Sequence, residues 1–155
     1  MEINYGKRLK IVLFNPEIPA NTGNIGRLCL GTNSELHIIK PMRFLLTDKY
    51  VKRAGLDYWH KVDLTLHDSW ADFLNKYKNE NLYFCETCGD TLYTDIRFSS
   101  GDFIIFGTES KGLPDYILNE FKNKVIKIPM SNDIRSINLC NSVAIVMYEA
   151  LRQMM

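Results

Sequence analysis

The sequence predicts an α/β protein: a mostly parallel sheet flanked by helices on both faces. Its candidate strands, such as Phe103-Ile104-Ile105-Phe106, are apolar throughout instead of alternating, as strands covered on both faces are. Helical stretches separate most of them, which is how parallel strands have to be joined. The 155 residues fit one domain, residues 1–155, with a full core of its own.

In chain order, residues 9–14 form an apolar run ended by Asn15-Pro16, a strand entering a loop. Residues 22–32 place Ile25, Leu28 and Cys29 at helical spacing, with Asn21 or Thr22 available as the cap. Residues 36–39 make the next strand, stopped by Pro41. Thr47 as a cap and Gly55 as a terminator suit a short helix over 47–54. Residues 64–66 read as a brief strand, and residues 69–77 put Trp70, Phe73, Leu74 and Tyr77 on one helical face. Strands follow at 82–85, 103–106 and 125–128. Pro114 opens a helix reaching Phe121, because a proline in the first turn gives up only a donor that has no partner there.

The last helix covers residues 138–154, and its apolar positions occupy more than one stripe. One face suits the sheet. The other suits a second copy of the chain or another element of its own, and the pattern leaves both open.

Composition excludes several classes. Hydrophobic residues make up 46% and charged residues 24%, so disordered and fibrous chains are out. Net charge is +1, from 19 Lys plus Arg against 18 Asp plus Glu, which supplies no global field for a polyanion. Nucleic acid would have to meet a local patch. No apolar run approaches membrane-spanning length, and residues 1–10 lack the apolar segment of a signal peptide, so a cytoplasmic protein is expected. The four cysteines are too few and scattered for a disulfide framework. Cys85 and Cys88 have the spacing of metal or redox sites, but Cys29 and Cys140 lie in apolar helices, so no metal is expected. His37 and His67 sit in strand-like runs and read as structural. Arg43, Lys49, Lys52, Arg53 and Lys61, beside Tyr58, Trp59 and His60, fit either a solvated face or a nucleic-acid contact.

Three polar segments each follow a strand, where open α/β sheets assemble ligand sites. The first is Asn21-Thr22-Gly23-Asn24-Ile25-Gly26-Arg27, with Asn24 and Arg27 one turn apart. A helix start with a nearby guanidinium attracts an anion, and a capped surface helix with a solvated Arg27 fits equally. The second runs from Phe106 through Gly107-Thr108-Glu109-Ser110-Lys111-Gly112 to Pro114, where Gly107 gives a ligand room and Glu109 is the sole carboxylate. It matches neither the phosphate-binding P-loop nor the dinucleotide glycine pattern. The third, Ile128-Pro129-Met130 to Leu139, crowds Arg135, Ser136 and Asn138 together, with Met130 and Leu139 as apolar walls. Ser136 or Asn138 is expected to cap the long helix.

Together these segments resemble the SPOUT superfamily of RNA methyltransferases, and within it the tRNA wobble-nucleotide 2′-O-methyltransferases. The resemblance extends to Asn15-Pro16-Glu17-Ile18-Pro19, Arg53-Ala54-Gly55-Leu56-Asp57-Tyr58 and Tyr148-Glu149-Ala150, and so spans nearly the whole chain. It implies a single-domain enzyme with a C-terminal trefoil knot, homodimeric through the last helix, using S-adenosyl-L-methionine as methyl donor. Its implied substrate is the wobble ribose, of cytidine or a modified uridine, in leucine tRNAs.

By position, Cys85, Gly107, Ile128, Met130, Ser136 and Leu139 match the family's cofactor pocket, and Arg27 matches its catalytic arginine. Asn24, Glu109, Arg135 and Asn138 would position ribose and backbone. The chain departs from its relatives at Glu86-Thr87-Cys88-Gly89, where Thr-Thr-Lys-Gly is usual. Two other functions fit the residues: a non-catalytic RNA-binding module and a nucleotide-dependent Rossmann-like enzyme.

Overall fold

The structure, a computed structural model, describes residues 6, 8–47, 49 and 58–155, so the helix expected over 47–54 falls largely outside them, as do Lys52 and Arg53. Among the described residues, seven strands form one sheet: β1 Lys10–Phe14, β2 Glu35–Ile39, β3 Leu64–His67, β4 Leu82–Cys85, β5 Thr91–Leu92, β6 Phe103–Phe106 and β7 Val125–Lys127. Their order is β3-β2-β1-β6-β4-β7-β5, and every pairing is parallel. The helices are α1 Pro19–Gly31, α2 Trp70–Tyr77, α3 Asp115–Glu120 and α4 Leu139–Met154.

Both faces are covered, as the unbroken apolar strands require. Successive side chains of a strand point to opposite faces. Ile11, Leu13, Leu36, Ile38, Ile104 and Phe106 accordingly join one core with Ile25 and Cys29 of α1 and Val143, Val146, Met147 and Leu151 of α4. Val12, Phe14, Ile39, Phe84, Phe103 and Ile105 join the other with Phe73 of α2 and Ile117 of α3. Because all strands run one way, their carboxyl ends gather at a single edge of the sheet.

The first polar segment is corrected by the structure. α1 begins at Pro19, so Asn21 and Thr22 lie inside the helix, 8% and 0% exposed, and neither caps it. Pro19 explains the earlier start, since a proline at the first helical position has its φ preset and lacks only an orphan donor. The N-cap is Ile18, which makes no side-chain capping bond. Gly26 serves packing, because a Cβ there would sit 2.3 Å from a ring carbon of Trp59. The remaining departures are small. β7 stops at Lys127, one residue before Ile128. β5, two residues long, is too short to show any period.

Candidate functional site

The carboxyl ends of β4, β6 and β7 open into a cavity of about 450 Å³, closed on its far side by the start of α4. Nine of the eleven residues singled out from the sequence line it: Cys85, Gly107, Glu109, Ile128, Met130, Arg135, Ser136, Asn138 and Leu139. Asn24 and Arg27 do not line it; both are exposed on α1. Asn21, one turn before Asn24, is part of the wall. Arg27 stands six residues beyond Asn21, a rise of about 9 Å along the helix.

The β6–α3 loop is folded tightly by its glycines. Thr108 and Gly112 exchange both backbone hydrogen bonds, at 3.1 and 2.9 Å, and Gly112 adopts φ +69°, the left-handed region that favours glycine. A Cβ on Gly107 would lie 2.1 Å from the carbonyl carbon of Gly112, so only glycine lets the two strands of this turn touch. Beneath the turn sits Glu86. Its Oε2 accepts from the backbone N–H of Leu113 at 2.9 Å and its Oε1 from that of Thr87 at 2.9 Å. Sequence reasoning missed this tether. Its one legible signal is a carboxylate immediately after a buried strand.

At the opposite wall, Asn138 caps α4 as expected, its Oδ1 accepting from the N–H of Cys140 at 2.8 Å. Its Nδ2 donates to Asn21 Oδ1 at 3.3 Å, and the Cys140 thiol donates to the Asn21 carbonyl at 3.3 Å. α1 and α4 are thereby fastened at the cavity's edge. Glu109 faces the start of α1, and both its oxygens accept hydrogen bonds from that segment. The Arg27 guanidinium carbon lies 5.4 Å from the Tyr58 ring centroid, a cation–π distance.

Burial pushes the Cys85 thiol up to about 12 and the Cys140 thiol up to about 11, so both stay protonated and unreactive near neutrality. Cys88 is exposed, and all four cysteines are free. Among the described residues no three His, Cys, Asp or Glu side chains gather as a metal would need. No helix among them is long and apolar enough to cross a membrane. His37 and His67 lie on β2 and β3, away from the cavity, with ring nitrogens 3.0 Å apart. The arrangement can enclose a ligand of nucleoside size against Ile128, Met130 and Leu139, with amides and carbonyls at its polar edges and cations at its rim.

Comparison with known proteins agrees. Residues 8–148 match the SpoU rRNA Methylase family. A Yersinia pestis protein named tRNA (cytidine(34)-2'-O)-methyltransferase is 44% identical over 152 residues, covering 94% of each chain. A Listeria monocytogenes protein that bears the same name provisionally is 48% identical over 146 residues, covering 92% of this chain and 86% of its own length. A solved structure described as giving insights into the 2-OH methylation of C/U34 on tRNA superposes with TM-score 0.90 at 43% identity, over 95% of this chain and 96% of that one. With the fold, the cavity and these likenesses in agreement, the chain belongs to the SpoU rRNA methylase family.

Proposed function

We propose that this chain transfers a methyl group from S-adenosyl-L-methionine to the ribose 2′-hydroxyl of nucleotide 34 in a tRNA. The wobble nucleotide is a cytidine or a carboxymethylaminomethyluridine, and leucine tRNAs are the substrates. Support comes from the family match and from relatives named for this reaction. The observation that carries it is the convergence of segments near 85, 107, 128 and 136 on one cavity, beside a helix bearing an exposed arginine.

The residues present fit the donor. Ile128, Met130 and Leu139 are apolar walls for an adenine ring, while Cys85 and Gly107 contribute strand-end backbone to the polar edges. Ser136 and the acidic Glu86 offer hydrogen-bond partners and a charge suited to a cationic ligand. The donor supplies an already activated methyl group on a sulfonium, so the protein's task is alignment and charge stabilisation. A guanidinium is a poor base, so Arg27 acts as a donor. It holds a substrate phosphate or the developing alkoxide, and the proton leaves to phosphate or water. Asn24 and Asn138 orient the ribose, and Arg135 at the open rim meets the RNA backbone. Glu109 serves the same step by holding α1.

Three further features belong to this reading. α4 turns Ile145 and Tyr148, 37% and 55% exposed, away from the sheet, which suits a homodimer through that helix. A C-terminal trefoil knot goes with the family match. The protein works in the cytoplasm, where tRNA is modified.

The test is incubation with labelled donor and total tRNA from cells lacking this protein, followed by mass spectrometry of the digest. The expected product is a 2′-O-methylated nucleotide 34 in leucine tRNAs. Binding of tRNA with no methyl incorporation would leave the RNA-binding module in its place. Calorimetric binding of NAD, with none of S-adenosylhomocysteine, would leave the Rossmann-like enzyme.

A further inference from the structure

The loop between β1 and α1 and the loop between β6 and α3 exchange carboxylates. Glu109 reaches from the second loop to the first: its Oε2 accepts from the N–H of Glu17 at 2.8 Å, and its Oε1 from the N–H of Ile18 at 3.0 Å and from Asn21 Nδ2 at 3.3 Å. Glu17 reaches the other way: its Oε2 accepts from the N–H of Ser110 at 3.0 Å and its Oε1 from Ser110 Oγ at 2.9 Å. Hydrogen bonds to ionised acceptors are the stronger kind, and these five bridge segments 88 to 93 residues apart. The Arg43 guanidinium lies 3.6 Å from Glu17 Oε1, adding a cation on the solvent side.

The bonds join the two loops outside both hydrophobic cores, and Ser110 is exposed. What they join is informative. Glu109 and Ser110 line the cavity, while Glu17 and Ile18 immediately precede the helix that presents Asn24 and Arg27. That helix has no side-chain cap of its own, so its start is held from outside by the cavity loop.

We propose that Glu17 is a positioning residue for methyl transfer, which with Ser110 and Glu109 keeps Arg27 in register with the cofactor cavity. The inference rests on the functional reading above and deepens it. The turn that would face a bound donor is thereby tied to the helix that bears Arg27. A loosened clasp leaves the donor pocket intact and misplaces the arginine, and a misplacement of about 1 Å can cost about 100-fold in rate.

The experiment compares wild type with Glu17→Ala, Glu17→Gln and Ser110→Ala. It measures kcat, KM for tRNA, the dissociation constant for S-adenosylhomocysteine, thermal midpoint, and hydrogen exchange across the first two turns of α1. Expected for Glu17→Ala is a kcat loss of about 10- to 100-fold with homocysteine-product binding changed less than about threefold and faster exchange in α1. Glu17→Gln, which keeps one acceptor oxygen, recovers part of the rate. Ser110→Ala, which keeps the backbone donor, loses less than Glu17→Ala and guards against a fold defect in the latter.

Wild-type rates in both Glu17 variants overturn the inference, as does a rate loss that merely tracks the thermal midpoint. Wild type that methylates no tRNA overturns the functional reading instead. The clasp is then judged by exchange alone, and unchanged exchange in Glu17→Ala refutes it.

Discussion

On one face of the sheet, α1 and α4 pack aliphatic side chains, Ile25, Val143, Val146 and Leu151, against Ile11, Ile38 and Ile104. On the other, α2 brings Trp70, Phe73 and Tyr77 into an aromatic cluster with Phe84, Phe103 and the rings of His37 and His67. The two helices of the first face also reach the carboxyl edge, where Asn21 and Asn138 line the cavity. α2 contributes nothing to it. Coverage of the core and construction of the site are therefore combined on one face and separated on the other, and mutations should sort accordingly.

The strongest way to break this contrast is Phe73→Ala. Phe73 is 0% exposed, and its loss is expected to destabilise by about 3–5 kcal/mol in denaturant unfolding. The fraction that stays folded should still bind S-adenosylhomocysteine as wild type does; a weakened pocket would show that the aromatic face does shape the site. The mirror-image substitution is Arg27→Ala, on an exposed position. Methyl transfer should fall about 10²–10³-fold, as when one charge-stabilising donor is removed, with cofactor affinity and thermal midpoint held. Unchanged turnover removes Arg27 from the mechanism.

Asn138→Ala sits where the two roles meet. Loss of the cap should cost about 1 kcal/mol of stability. Loss of the Asn21 contact should also lower kcat, and a stability change alone would confine Asn138 to capping. The smallest effect belongs to pH. Burial holds His37 and His67 below the ordinary value of 6.5 and so neutral in the folded chain, with Glu35, Asp68 and Asp72 opposing it and Lys10 and Lys76 adding to it. Below that pH the unfolded chain takes up more protons, so stability is full above it and declines as pH falls. A drop of about 2–4 °C in thermal midpoint is expected between pH 7 and pH 5, with a shallower slope in His67→Phe. A pH-independent midpoint would mean that the pair stays neutral in neither state or both.

Much of this was legible from residue order. Residues 82–85 and 103–106 are strands as read, because four consecutive apolar residues between polar bounds leave little else. Nine site residues converge because they lie at the end of a parallel strand, in the loop that leaves one, or at the start of the last helix, and parallel strands place their ends at one edge. Asn21 and Thr22 look like caps, yet α1 starts at Pro19, whose preset φ and missing donor suit the first helical position. The sheet order, with β6 inserted between β1 and β4, leaves no trace in local pattern. Nor do the tethers of Glu17 and Glu109. Their partners are mostly backbone amides, which every residue carries, so nothing in the sequence names them.

The central pairing of the sheet has a consequence for biosynthesis. Lys10 of β1 finds its β6 neighbour in Phe103, so the middle of the sheet cannot close until two thirds of the chain has been made. At about 5–20 residues per second, that leaves Ile11-Val12-Leu13-Phe14 with one side unpaired for roughly 5–20 s on the ribosome. Through that interval the nascent chain carries an apolar strand with one open edge, the kind of surface on which unfinished chains associate wrongly.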